Sequence, residues 1–565
     1  MEMEEKKREQ VTVLAVAGML GSSFDETGFR EALMQNPDMI GCDSGTCDSG
    51  PFYAGAGVPR MSRKAVKRDL TLMIRAGLER GIPVIVGSAG TAGADPNVDW
   101  MIGIVKEIAK ENDFHFRLGE IKTEITKEQL KQYMEEGRFH ALEGAPDFSE
   151  KDMDTLTRCI SVIGAEPYNA ALDGGAQVII AGRSTDTAIY ACVPIRYGFD
   201  NAFAWHAAKT IECGTLATVF EKKHGAMLAS VRKDSASIWP GHPDMAASPV
   251  SVVSHTLYEN ANPYILTEPG GILHTKDSVY TAENERVTRI TGSTMEKKPY
   301  TVKLEGVKFE GYRRVALAGV SDPLILKQLY SWLETVVEHS RAKIRRGLGL
   351  APDEYRLRYV VYGNPDDPCT ERVGVMFDII ARNEEDAGSI ITNVWHTMLH
   401  VPIPEWEGGQ SQTAFPFSPP DLQTQEGGKT YSFCLNHVVE VQDPLEPAAS
   451  VIMTCEERSA DMKKLYEVAR LIRSKNAGPF CITMDIIFPS HELYEKVLES
   501  GALDGGRIAG LYGIDEKDMK RYELPLANAV KFSMPRKYPA GDFMDEDLYG
   551  CQYHRPLVLL DVQID

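Results

Sequence analysis

The sequence predicts an α/β fold: a mostly parallel N-terminal sheet flanked by helices over residues 10–270, an α+β domain over 271–455, and a small C-terminal α+β accessory domain over 460–565. Three observations predict it. From Val11 to about Gly214 one phrase repeats, a short apolar strand, a Gly-rich polar turn and a helix, which is the order that builds a parallel sheet covered on both faces. After about Pro269 the strands become short and alternating, with Gly-containing turns, and mix with helices in the order expected of an α+β domain. A further helix–strand–helix unit begins near Met462. At 565 residues the chain is also too long for one core.

The elements follow in order. Residues 11–17, VTVLAVA, form a continuous apolar run and read as a strand buried on both faces. A second strand, 38–40, runs into the turn Gly41–Pro51. The spacing of Val66, Leu70, Met73 and Gly77 predicts a helix over 62–79, with Ser62 as its N-cap and Gly81 as its stop. The strand 83–86 delivers Gly87–Gly93, and a helix over 98–112 carries Trp100, Ile104 and Ile108. The strand 176–181 feeds Gly182-Arg-Ser-Thr-Asp186. Farther on, the pattern predicts short strands over 272–320, a long helix over 323–346, strands at 355–362 and 373–381, a helix over 384–400 and a strand over 431–441. The stretch 402–428, rich in Pro, Gly, Gln and Ser, reads as a loop or linker. The tail reads as a helix from Met462, a strand over 481–488, a helix over 491–501, and strands near 530–534 and 557–562.

Composition excludes several functions. With 81 acidic and 61 basic residues the net charge is −20, which argues against nucleic acid or an anionic membrane as partner. No apolar run approaches the roughly 18 residues of a membrane span. The opening MEMEEKKREQ lacks the apolar core of a signal peptide. The ten cysteines form no CxxC pair, as expected of reduced thiols in a cytoplasmic protein. A homo-oligomer is expected on the general frequency of such assemblies.

Chemistry concentrates after the strands. Gly41–Pro51 holds three Gly, two Asp, two Ser and a Thr, so its backbone N–H groups suit an anion. Asp43 and Asp48 are candidates for proton transfer or a hard cation, with Ser44, Thr46 and Ser49 as binding hydroxyls. An ordinary turn, which the same residues favour, is the competing reading. Gly87–Gly93, with Ser88 and Thr91, looks like an anion-binding turn at a helix N-terminus, although no Lys follows it as in a phosphate loop. Arg183 offers a planar fork for a carboxylate, beside Ser184, Thr185 and Asp186, which capping also explains. Glu166-Pro-Tyr-Asn169 lies upstream as a possible cover for the same cleft. His206, Lys209 and Glu212 recur at a spacing of three on one helix and make a possible acid–base set. His255, Glu259 and Asn262 sit in a polar loop between the two textures, with His242 a weaker candidate. His396 and His400 have i,i+4 spacing without a third ligand and read as structural.

At these segments the chain resembles the acyclic terpene utilisation (AtuA-like) family. Gly41–Pro51, Gly87–Gly93, Asp173–Asp186 and His255–Gly271 resemble that family's motifs and follow in its order, over roughly residues 10–455. Arg473–Phe480, Thr483-Met-Asp485, Ser500-Gly501, Met534-Pro-Arg536 and Asp547–Pro556 resemble a small uncharacterised domain that accompanies the family as a separate chain and is here fused. The fusion implies that the small domain completes or covers the site, with Lys475, Asn476, Arg536 and His554 as residues closing over an anionic substrate. The resemblance implies a lyase, either a hydratase/dehydratase or a carbon–carbon lyase, acting on a small branched carboxylate or its acyl-CoA thioester. In that reading the Gly-rich turns and Arg183 hold carboxylate or phosphate, and Asp43, Asp48 or Asp186 removes an α-proton or binds Mg²⁺. His206 or His255 protonates the departing hydroxyl. A phosphate-ligand transferase and a non-catalytic partner subunit of an acyl-CoA enzyme are the alternatives, and the cofactor is otherwise open.

Overall fold

The computed structural model describes residues 8–219, 225–367, 369–405, 424–455, 462–542, 544–545 and 547–563. Chain contacts divide into two units, Met1–Cys455 and Glu456–Asp565. Among the described residues no helix is long and apolar enough to cross a membrane.

The first unit is built on a ten-stranded sheet. Its strands are β1 (Gln10–Ala15), β2 (Met39–Gly45), β3 (Val84–Thr91), β4 (Phe116–Lys122), β5 (Val178–Ala181), β6 (Met227–Arg232), β7 (Ala236–Pro240), β8 (Val279–Ala282), β9 (Thr288–Thr291) and β10 (Ala449–Cys455). Their order is β8-β9-β7-β6-β1-β2-β3-β5-β4-β10. The block β1-β2-β3-β5-β4 is parallel. The four strands beyond β1, and β10 at the other edge, are antiparallel. The sheet is therefore mixed, which corrects the expectation of a mostly parallel one. For one of these pairs connection length is the reason: β6 and β7 are joined through Lys233, Asp234 and Ser235 alone. A parallel crossover needs roughly a dozen residues, so so short a link makes a hairpin.

The strand pattern explains the layers. Val11, Val13 and Ala15 enter one core with Ile85, Ile179 and the residues of helices Ala188–Arg196 and Asn201–Ile211. Leu14 and Val16 enter the other with Ile40, Val84, Val86 and the apolar faces of helices Arg63–Arg80 and Asp95–Asn112. The helix Arg63–Arg80 starts where its cap directs, the Ser62 side chain accepting from the Ala65 N–H at 3.2 Å.

A second, antiparallel sheet of six strands lies in the same unit. Its order is Tyr355–Tyr362, Val373–Ala381, Thr301–Val320, Thr424–Glu440 and Phe139–Ala141, with Leu156–Val162 also paired to Thr301–Val320. Helices Leu329–Leu348 and Glu384–His400 cover it through a core that includes Trp332, Phe377 and Ile390. Both sheets draw strands from each side of residue 270. The helix expected over 323–346 is two pieces, Pro323–Leu326 and Leu329–Leu348. Most of the stretch expected to be a loop at 402–428 lies outside the described residues.

The second unit has a four-stranded antiparallel sheet, Leu471–Asn476, Cys481–Ile487, Ala529–Pro535 and Lys520–Leu524 in spatial order. Helices His491–Glu499 and Gly505–Tyr512 pack on it around Ile482, Met484, Ile508 and Phe532. The expected strand at 557–562 is instead a short helix, Arg555–Val558, followed by the strand Asp561–Gln563, because Pro556 at the start of a turn favours a helix N-terminus.

Candidate active site

The parallel strands end at one edge, and there the first unit holds a cavity of about 370 Å³. Asp43, Thr46, Asp48, Asp186, Glu212 and Glu259 are among its lining residues. The crevice at the carboxyl ends of such strands is where α/β sheets take ligands.

Asp43, expected in a turn, lies in β2, which continues through Gly45 because β3 pairs with it there, Asp43 against Gly87 and Gly45 against Thr91. The strand fixes the side chain. Asp43 is 3% exposed, its Oδ2 accepts the Gly45 N–H at 3.2 Å, and its Oδ1 has no partner. The true turn is confined to the residues after Gly45. There Thr46 Oγ1 accepts the Asp48 N–H, Asp48 stands exposed at the mouth, and Ser49 Oγ accepts from Arg60. Ser44 is fully buried beside Asp43.

The end of β3 serves to place Arg183. Ser88 and Thr91 occupy left-handed backbone conformations, as do Gly90 and Gly93. Gly93 has φ +66, and a Cβ there would collide with the Arg183 backbone nitrogen, so the two segments meet only through glycine. Ser88 Oγ accepts from Arg183 Nη1 at 3.2 Å, and Thr91 Oγ1 accepts the Arg60 N–H at 3.1 Å. The expected anion-binding turn thus directs its hydroxyls to the protein itself, and neither Ser88 nor Thr91 lines the cavity.

Arg183 is enclosed by carboxylates. Its Nη1 lies 3.3 Å from Asp186 and its Nε 3.5 Å from Glu305, which arrives from the strand Thr301–Val320 of the other sheet. Burial works against its charge, but Glu305, Asp186 and Asp43 outweigh burial and push its pKa up. One cation does not neutralise three acids. Burial opposes charge on Glu305 too, yet Arg183 and Lys303 hold it below the usual carboxylate range. Asp43 is pushed well up by burial and then by Asp186, against Arg183. Asp186 is also pushed up, by burial, with Arg183 and Lys209 opposing. Burial thus biases both acids toward their protonated forms, Asp43 the more strongly. Ser184 accepts from Tyr168 at 2.8 Å, and Thr185 caps the Ala188 N–H at 3.2 Å, so both hydroxyls are engaged in structure.

The helix Asn201–Ile211 divides the expected acid–base set. Lys209 donates to Glu212, and Glu212 lines the cavity, pushed up to about 8 by burial and by Asp186 against Lys209. His206 does not reach it: Nδ1 pairs with Ser293 Oγ at 2.7 Å and Nε2 with the Tyr280 hydroxyl at 3.1 Å. Burial pushes His206 down to about 4. His255, at the end of helix Pro249–His255, is 5% exposed and stacks on Tyr258, which lines the cavity with Glu259. Asn262 accepts the Tyr264 N–H in a local turn and does not line the cavity. Glu166 accepts from the Tyr300 hydroxyl instead of covering the cleft.

In the second unit the expected cleft-closing residues have partners within that unit. Arg536 donates to Asn476, to Asp545 and to the carbonyls of Tyr538 and Asp547. His554 Nδ1 is 3.0 Å from Ser474 Oγ, and Lys475 lies over the Tyr549 ring. These contacts tie the loop 536–554 to the sheet.

Sequence reasoning missed Arg60, Cys213, Glu268 and Glu305. Glu268 accepts from Thr187 at 2.7 Å, leaves Oε2 unpartnered and is pushed up to about 7 by burial. Glu305 had no local signal, since only sheet pairing brings it to Arg183. Among the described residues Asp43, Asp48 and Asp186 form no three-ligand group, and the one group with metal-ligand spacing is Glu212, Cys213 and His255.

A family model described as acyclic terpene utilisation family protein AtuA matches residues 61–419. A second, a domain of unknown function (DUF4387), matches residues 465–561. No curated protein and no solved structure matches the chain.

Proposed function

The chain belongs to the acyclic terpene utilisation family AtuA, and from that premise we propose that it is a lyase that removes or adds the elements of water on a small branched acyl thioester. The observation that carries the reading is a buried Asp43 and a half-exposed Asp186 lining one cavity, Asp186 3.3 Å from Arg183 and its charge helping to push the Asp43 carboxyl up. Asp186, in contact with Arg183, is the base that takes the α-proton. Asp43, buried and holding its proton, is the acid that passes it to the departing β-hydroxyl, which leaves as water. In the reverse direction the same groups exchange roles.

The cavity supports the substrate class. About 370 Å³ accommodates a small branched acyl group, with a CoA moiety outside it. Its lining carries more carboxylates than cations, which favours the neutral carbonyl of a thioester over a free acid.

The test is hydration of branched enoyl-CoA thioesters, followed by loss of the conjugated thioester's ultraviolet absorbance, with the corresponding free acids in parallel. Asp43→Asn is expected to lower kcat by roughly 10²–10⁴-fold with little change in KM. Turnover unchanged by Asp43→Asn, or no turnover of any thioester or acid in the series, overturns the proposal.

A further inference from the structure

We propose that a divalent transition-metal ion, with Zn²⁺ the best chemical match, binds at the cavity wall through Glu212 and Cys213, which line it, and His255 within reach of both. The three offer a carboxylate oxygen, a sulfur and an imidazole nitrogen, all within 4.8 Å of one another. Glu212 and Cys213 follow the last turn of helix Asn201–Ile211, and His255 is the last residue of helix Pro249–His255. Three mixed donors leave one position open, the arrangement of catalytic rather than structural zinc. The thiolate selects against Mg²⁺ and Ca²⁺, which take oxygen donors. Closing this spacing to metal–ligand distances of about 2.0–2.3 Å requires side-chain shifts on the order of 1 Å.

A second observation points to the same ligand. His255 is 5% exposed, and its Nε2 has no partner. A buried nitrogen left so has lost its hydration without a compensating bond unless something binds it. The ring is already oriented by a hydrogen bond to the Lys209 backbone carbonyl and by stacking on Tyr258 at 5.8 Å. In metal sites such a bond fixes the tautomer and turns the other nitrogen's lone pair to the ion. Lys209 Nζ donates to Glu212 Oε1 and orients that carboxylate in the same way.

The cavity around these donors fits a dication. Asp43, Asp48, Asp186, Glu212 and Glu259 line it, against Arg60 as the lining cation among the described residues. The segment after β1 packs on Cys213 through Gly18, where a Cβ would stand 2.8 Å from the Cys213 carbonyl carbon, so this approach needs glycine. Cys213 enters as a thiol and binds as thiolate, so uptake of the ion releases its proton to solvent. When bound, the ion polarises the substrate carbonyl beside the Asp43–Asp186 pair; that role rests on the lyase reading, and binding itself does not.

The experiment uses the full-length chain, stripped with a chelator and titrated with Zn²⁺ and with Co²⁺ as a spectroscopic substitute. Expected are about one equivalent of either ion and, for Co²⁺, a thiolate charge-transfer band in the near ultraviolet. Cys213→Ser removes that band while visible Co²⁺ absorption persists, and His255→Gln or Glu212→Gln weakens Zn²⁺ binding by roughly tenfold or more. The wild-type spectrum needs no variant, so a substitution that fails to fold does not shelter the proposal. A Co²⁺ complex without the thiolate band, Zn²⁺ binding indifferent to all three substitutions, or binding of Mg²⁺ but not Zn²⁺ overturns it. Failure of thioester turnover with the metal signature intact sinks the lyase reading alone.

Discussion

Glu268 shows how a single buried side chain imports pH dependence. It accepts from Thr187 through one oxygen, leaves the other unpartnered, and is pushed up to about 7 by burial. A carboxyl raised in the folded state binds a proton more tightly there than in the unfolded chain. Its contribution to stability is therefore complete below about pH 4.5 and is lost as pH rises through about 7. Melting temperatures of wild type and Glu268→Gln over that range test this. The wild type is expected to lose stability relative to the variant as pH increases, and parallel curves would refute the assignment. His206 illustrates the opposite outcome. Its helical spacing from Lys209 made it a catalytic candidate, yet both ring nitrogens are taken by Ser293 and Tyr280. Residue type and spacing named the polar groups, but the partners of each were set by chain segments far away.

At the scale of elements, the strand ends carry the site and glycine sets how closely they approach. The turn after β3 and the segment after β5 touch at Gly93 and Arg183. Gly93→Ala places a side chain both in a left-handed conformation and against the Arg183 backbone, and is expected to destabilise the protein by roughly 2–4 kcal/mol. Arg183 would be displaced from Asp186, so activity should fall by more than the loss of folded protein explains. Thermal melts with activity per folded molecule check both parts. A melting temperature within 1 °C or so of wild type would show that the contact relaxes freely. Helices with a clear cap and face, such as Arg63–Arg80 behind Ser62, were legible in the sequence because their signals are local. The extension of β2 through Asp43 was not, because pairing with β3 overrode a composition typical of turns.

At the scale of the whole molecule, the two units each have a core. The core of residues 465–562 includes Ile482, Met484, Phe532 and Leu557, and Arg536 clamps its C-terminal loop through Asn476 and Asp545. The segment 462–563 expressed alone is expected to unfold in one cooperative transition, and Arg536→Ala to lower its stability by about 2–4 kcal/mol. Circular dichroism melts of both decide it, and a fragment without a cooperative transition would show that its fold depends on the first unit. The sequence by itself determined the class, the alternation of strands and helices and the Gly- and Asp-rich strand ends, because periodicity, capping and turn chemistry act within a few residues. Tertiary structure alone decided that the sheet is mixed, since connection length and the edge each returning strand finds are not local properties. It also decided that Glu305 crosses from the second sheet to Arg183, and that Glu212, Cys213 and His255 meet. The chemistry of a buried site depends on which charges share a low-dielectric space, and only the folded chain brings those charges together.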